Sequence, residues 1–253
     1  MFESASRLDV LLTRRGYFPS RAKAQAAIAA GLVSADGELC TKAGRMVPDG
    51  AVLDIRQESA ALVGRGGEKL RHALAFFALE VTGKTCLDVG ASTGGFTQVL
   101  LESGARRVFA LDVGHHQLAE PLRRDKRILS MEGCNFRYFD PCGLPEVPAF
   151  ACVDVSFISL RLILPKLAEC LASGTDAVCL VKPQFEAGRG AAGKHGVVKD
   201  AKVHRRVLAE LVQAARDCGF AVCGQGEEPG GICESPILGS AGNKEFLMHV
   251  RRG

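Results

Sequence analysis

Thr85-Cys86-Leu87-Asp88-Val89-Gly90-Ala91-Ser92-Thr93-Gly94-Gly95-Phe96-Thr97 is the stretch from which the rest of the chain is read. A short apolar run passes into a glycine-rich turn. A helical pattern follows over Phe96 to Glu102, with apolar residues at Phe96, Val99 and Leu100. Strand, glycine turn and helix in that order make a nucleotide-type site on a parallel α/β sheet. The glycines let backbone approach a ligand that a Cβ would hold off.

Missing features narrow the ligand. A phosphate-cradling loop needs Lys and Ser/Thr after its last glycine, and here Phe96 and Thr97 follow Gly95. A dinucleotide turn needs glycine where Ser92 stands. The next strand, Arg107 to Leu111, ends in Asp112, at the spacing of a carboxylate that holds ribose hydroxyls. An adenosine ribose without phosphate fits this pattern, which points to S-adenosylmethionine. Candidate contacts are Asp88, Gly90, Ser92, Gly94, Gly95 and Phe96 in the turn, Asp112 and Val113 at the second strand end, and Asn135 near the adenine.

The chain has 253 residues, 47% hydrophobic and 24% charged, which suits one medium globular domain with a small one attached. The net charge of +4 permits nucleic-acid contact without requiring it. No window approaches the roughly 18 apolar residues of a membrane span. Glu3, Arg7 and Asp9 interrupt the place of a signal peptide's apolar region. Ten cysteines without a CxxC pair, several within apolar runs, read as reduced core residues and not as metal ligands. A cytoplasmic location is expected.

The first sixty residues have a different character. Leu8, Leu11 and Leu12 share one helical face, and a second helix is expected from Ser20 as N-cap to a stop at Gly31. Short β-like runs follow around Leu32-Val33, an Asp36-Gly37 turn and Ala51 to Ile55. Arg7, Arg14, Arg15, Arg21 and Lys23 concentrate positive charge on the helical part. By charge alone this is equally a phosphate-binding face or a solvated helical hairpin. The order Arg7-Leu8-Asp9-Val10-Leu11-Leu12, Ser20-Arg21-Ala22-Lys23-Ala24, Ile28-Ala29-Ala30-Gly31-Leu32-Val33 and Asp36-Gly37 resembles the small RNA-binding module named after ribosomal protein S-four. That resemblance covers residues 1–58 and implies an α+β RNA-binding domain; residues 59–63 read as a linker.

Residues 64–253 read as a doubly wound α/β domain with a late hairpin. Further strands are expected at Ile128 to Met131, Ala149 to Val155, Ala177 to Lys182, Phe220 to Cys223 and Glu245 to Val250. Pro183 keeps Lys182 extended, at a strand end. Asp88, Asp112, Asp154 and Lys182 should therefore meet at the carboxyl rim of the sheet, where such folds bind ligands. Desolvation lowers a lysine's pKa toward that of a base and neighbouring carboxylates raise it; residue order alone does not choose. Gln184 to Val198, glycine-rich with Arg189, Lys194 and His195, reads as a flap over RNA or an ordinary surface loop. His115 and His116 read as loop residues.

Five motifs resemble the TlyA family. They are Arg65-Gly66-Gly67-Glu68-Lys69-Leu70, the Leu87 to Thr97 turn, Asp154-Val155-Ser156-Phe157-Ile158-Ser159-Leu160, Val181-Lys182-Pro183-Gln184-Phe185-Glu186-Ala187-Gly188-Arg189 and Gly242-Asn243-Lys244-Glu245-Phe246. The resemblance implies a Rossmann-like class I methyltransferase domain of the FtsJ type behind the RNA-binding module. It also implies 2′-O-methylation of cytidine in ribosomal RNA of the small or large subunit, with ribosomal RNA or subunits as partners. The FtsJ-type Lys-Asp-Lys-Glu tetrad then falls on Lys69, Asp154, Lys182 and Glu245, with Glu234 the competing carboxylate for the last place. Arg65 and Arg189 join the expected RNA contacts. Family members also carry a haemolysin name, so a membrane-active protein is one alternative; a ribosome-assembly factor without activity is another.

Overall fold

The computed structural model describes residues 5–29, 31–55, 62–188, 193, 196–223 and 230–253. The chain divides into two compact units, Met1–Ala61 and Leu62–Gly253. In the first, β1 (Ala5–Arg7) leads into α1 (Leu8–Arg14), α2 (Arg21–Ala29), β2 (Val33–Ala35), β3 (Glu38–Cys40), β4 (Met46–Pro48) and β5 (Leu53–Ile55). Leu8, Leu11 and Leu12 of α1 pack on Ala24 and Ile28 of α2, and Val33, Val47 and Leu53 close the core from the strand side. The Asp36-Gly37 turn has both residues at positive φ, 51° and 81°, which matches the twist of the β2–β3 hairpin. The three-residue strands β1, β3 and β4 give too short an alternation to be read from sequence.

The second unit contains α3 (Gly66–Phe76), β6 (Thr85–Val89), α4 (Gly95–Glu102), β7 (Arg107–Leu111), α5 (Glu120–Arg123), β8 (Ile128–Met131), β9 (Phe150–Val153), α6 (Leu164–Cys170), β10 (Asp176–Val181), α7 (Pro183–Glu186), α8 (Ala201–Asp217), β11 (Phe220–Val222), β12 (Ile232–Glu234) and β13 (Phe246–Arg252). Leu62 and Val63 belong to this unit and not to a linker. Both pack on its core, and the Val63 N–H donates to Gln98 Oε1 at 2.9 Å. The described strands form one sheet in the order β11-β13-β10-β9-β6-β7-β8, with β12 beside β11 on the free edge of β13. β10, β9, β6, β7 and β8 are parallel, and β13 runs antiparallel to β10.

Strand periodicity splits the core into two layers. Leu87, Phe109, Val153 and Cys179 face α6 and α8, whereas Cys86, Val108, Phe150 and Val178 face α3 and α4. Helices on both faces of a mostly parallel sheet are the doubly wound architecture. Strand order reverses about β6, so the crevice opens at the carboxyl ends of β6 and β9. The helical segment after Leu118 is a single turn, α5. No helix among the described residues is long and apolar enough to cross a membrane.

Asp88 does not face that crevice. It shares the strand face of Cys86, is fully buried, accepts the Thr97 hydroxyl at 2.6 Å and lies 3.6 Å from Cys152 Sγ. Its role is to tie β6 to the first turn of α4. Desolvation pushes its carboxyl up from 3.8 to about 7, against the Thr97 hydrogen bond that lowers it. A folded-state value raised above the unfolded one means that the folded protein holds the extra proton. The stabilisation is complete below the unfolded value and is lost as pH rises through about 7. Asp88→Asn should remove this dependence, worth on the order of a few kcal/mol. Thermal unfolding midpoints of both proteins across pH 4 to 8 test it, roughly spanning the two values. The midpoint difference should shift in favour of the variant as pH rises; parallel curves would show that Asp88 does not titrate there.

Candidate active site

Gly90, the first residue beyond β6, has φ +86°, and a Cβ there would lie 2.1 Å from the carbonyl oxygen of Asp154. Only glycine lets the β6 and β9 exits pass this closely. At Gly94 (φ +98°) a Cβ would sit 2.3 Å from Leu122 Cδ1, so that glycine makes room for α5. These two serve close packing of the protein on itself, and Gly94 lines neither cavity described next.

Two cavities share Gly90, Ser92 and Asp154. The larger, about 500 Å³, is walled by Asp112, Val113, Asn135, Phe136, Phe157 and Ile158, among others. Asp112 takes the Ser92 N–H on one oxygen at 2.8 Å and the Gly114 N–H on the other at 2.7 Å, so it also fixes the two loops that frame the cavity. Asn135 Oδ1 caps the short turn that follows by accepting the Arg137 N–H at 3.1 Å. The smaller cavity, about 320 Å³, is lined by Arg65, Lys69, Gly95, Phe96, Asp154, Lys182, Leu238 and Glu245, among others.

The four residues expected to act together meet at the smaller cavity as two ion pairs. Lys69, in the first turn of α3, reaches Glu245 Oε2 at 2.6 Å, and the two side chains are 10% and 3% exposed. Lys182 Nζ lies 2.6 Å from Asp154 Oδ1 and donates to Ser156 Oγ at 2.8 Å. Glu234 pairs instead with Lys244 at the surface, which leaves Glu245 as the carboxylate at Lys69. Helical side chains lean toward the N-terminus, so a first-turn lysine overhangs the start of α3 and the loop before it.

Sequence reasoning overlooked three neighbours. Ser156 holds Lys182. Gln184 donates to Glu245 Oε1 at 3.5 Å. Phe157 is 91% exposed, with its ring 5.1 Å from that of Phe185. An aromatic residue between two serines just past a strand end was the available signal. His115 and His116 lie in a loop whose N–H groups, at His116, Gln117 and Leu118, converge on the Glu132 carboxylate. Arg189, Lys194 and His195 lie outside the described residues.

In the first unit the basic residues are not equivalent. Arg7 and Arg21 both bind the fully buried carboxylate of Asp9, at 3.1 and 2.9 Å, and Gln25 adds a third donor at 2.7 Å. These donors hold the Asp9 carboxyl well below the usual carboxylate range, Arg7 most of all. Both guanidinium groups stay half exposed. Arg15 donates to the carbonyls of Asp49 and Ala51, and Arg14 pairs with Asp49, so these two brace the turn between β4 and β5.

Residues 62–252 match the model of the FtsJ-like methyltransferases, and residues 6–53 match the S4 domain. The chain is 45% identical over 251 residues to YqxC of Bacillus subtilis, provisionally named an rRNA methyltransferase, covering 99% of this chain and 87% of that protein. It is 41% identical over 247 residues to the 16S/23S rRNA (cytidine-2'-O)-methyltransferase TlyA of Mycobacterium tuberculosis, covering 97% and 90%. A solved structure from Streptococcus thermophilus, provisionally named a haemolysin, superposes with a TM-score of 0.72 at 45% identity, covering 99% of this chain and 90% of that one. The chain is a methyltransferase of the FtsJ-like family, in the TlyA group that carries an S4 domain at its N-terminus.

Proposed function

We propose that this enzyme methylates the 2′-hydroxyl of a cytidine ribose in ribosomal RNA, using S-adenosylmethionine, with the S4 domain capturing the RNA. The observation that carries the reading is the pair of lysine–carboxylate contacts, Lys69–Glu245 and Lys182–Asp154, at one cavity beside the glycine-rich turn. The larger cavity fits the cofactor. It offers a carboxylate at a strand end, apolar walls from Val113, Phe136 and Ile158, and room for an adenosyl group. When bound there, S-adenosylmethionine supplies an electrophilic methyl group on a sulfonium.

Asp154 lines both cavities, so a hydroxyl placed at Lys182 stands next to the cofactor compartment. Lys182 Nζ orients the 2′-hydroxyl as an ammonium donor or, as the neutral amine, takes its proton. Asp154 and Ser156 fix the direction of that nitrogen. Lys69 and Glu245, the nearly buried pair at the same cavity, position the ribose. Aligning two reactants in this way is worth up to roughly 7–11 kcal/mol of the barrier at the limit. The exposed Phe157 ring offers a face on which an unpaired base stacks, the usual means of holding a single RNA nucleotide. Among the basic residues, Arg7, Arg21, Lys23 and Arg65 remain open to phosphate.

Methyl incorporation from labelled S-adenosylmethionine into unmodified small subunits, large subunits and their free RNAs tests the activity. Wild type should label at least one, and Lys182→Ala should lower the rate by about 10²-fold or more while cofactor binding persists. No incorporation by wild type into any of them, with cofactor bound, would favour the inactive assembly factor.

A second prediction concerns capture. Arg21→Ala and Lys23→Ala should each lower the slope of log affinity against log salt by about 1, equally for all RNA sequences. Arg15→Ala should leave the slope in place and lower the thermal stability of the S4 unit. Equal slopes for wild type and Arg21→Ala would remove Arg21 from the RNA-binding face.

A further inference from the structure

Two segments leave the sheet beside the larger cavity. One follows β9 as Asp154-Val155-Ser156-Phe157-Ile158-Ser159; the other follows β10 as Lys182 and then α7. They touch at their near ends through Lys182, Asp154 and Ser156, and midway through the Phe157 and Phe185 rings. Phe157 has φ +63° and almost no protein cover. An L residue rarely adopts that conformation, so its surroundings must impose it. One ring contact at so exposed a side chain does not fix a backbone.

The far end supplies what is missing. Glu186, the last residue of α7, accepts the Ser159 hydroxyl at 2.6 Å on one oxygen and the Leu160 N–H at 2.8 Å on the other. Two donors on two oxygens fix both the distance and the direction of the approaching segment. Ser159 in turn caps the short turn Leu160–Leu162, accepting the Arg161 N–H at 3.2 Å, and Leu160 is anchored in the core. Phe157 is therefore held between two ties from the same neighbouring segment, one at Lys182 and one at Glu186. Burial raises the Glu186 carboxyl above its ordinary value while Ser159 and Leu160 pull it back.

We propose that Glu186 is a positioning residue for methyl transfer, a latch that joins the Phe157 segment to the Lys182 segment and sets the geometry of both. The proposal rests on the reading that these segments hold the target nucleotide, and its test separates the two. The chain has no tryptophan, so Phe157→Trp in the full-length protein introduces a single indole reporter. In that background Glu186→Ala should raise acrylamide quenching by about twofold or more and lower the anisotropy, as expected for a loosened loop. Glu186→Gln keeps an acceptor for the Leu160 N–H and a donor for Ser159 Oγ, and should stay close to the parent.

With Phe157 in place, Glu186→Ala should lower kcat for RNA methylation by about tenfold or more, and Glu186→Gln should restore it. An indole equally protected in a folded Glu186→Ala protein overturns the latch. So does a glutamine variant as impaired as alanine. A loosened indole with unaltered kcat overturns the role in catalysis. If Glu186→Ala does not fold, Ser159→Ala removes one of the two bonds and is read by the same fluorescence. Inactivity of the wild type on every RNA would count against the function proposed above, while the fluorescence still decides the latch.

Discussion

The carbonyl oxygen of Asp154 lies 2.1 Å from the point where a side chain on residue 90 would begin, and only glycine at that position permits it. The β6 exit carries the turn that frames the cofactor compartment. The β9 exit carries Asp154 and, three residues on, Phe157. Pressing the two exits together makes one wall, Gly90, Ser92 and Asp154, common to both cavities. Under the proposed function, that shared wall lies between the methyl donor and the hydroxyl it methylates. The reversal of strand order about β6 opens the crevice, and the missing Cβ closes the distance across it.

The two ion pairs at the cavity differ in how far they are removed from water. Lys69 and Glu245 are nearly buried, and a charge left there without its partner costs roughly 3–5 kcal/mol. That pair joins α3, at the start of the domain, to the lead-in of β13 at its end, so it fixes one wall of the cavity as well as serving it. Lys182 and Asp154 are more open, at 11% and 21% exposed, and Lys182 has a second tie to Ser156. The difference lies with the carboxylates: Asp154 is partly open to the cavity and Glu245 is not. Under the proposed function, the buried pair takes the supporting role and the more open pair the reacting one.

Much of this was legible in the chain. Apolar runs bounded by glycine or proline gave β6, β9 and β10, and Pro183 placed Lys182 at a strand end. Asp88 misled because a strand buried on both faces shows no alternation, so a polar residue within it gives no sign of which way it points. Leu62 and Val63 looked like linker because two apolar residues form no periodic pattern, although they suffice to dock on the core. β12 is three residues long, and its place was set by the free edge of β13 and not by its own propensity. Phe157 was written in plain sight, but residue identity encodes neither its exposure nor its positive φ.

Net charge says little about how the S4 unit meets RNA, and Asp9 shows why. Two arginines on one buried carboxylate carry a net charge of one, so the pair presents less positive charge than its composition implies. What it gains is fixed direction. An arginine free in solvent gives up side-chain entropy when it grips a phosphate, whereas Arg7 and Arg21 have already lost much of it to Asp9. Their half-exposed guanidinium groups still have N–H donors to offer. A buried acid beneath a basic face thus trades electrostatic strength for preorganisation. The five basic residues first counted as one patch resolve into two clamps on Asp9, two braces on the 49–51 turn, and Lys23.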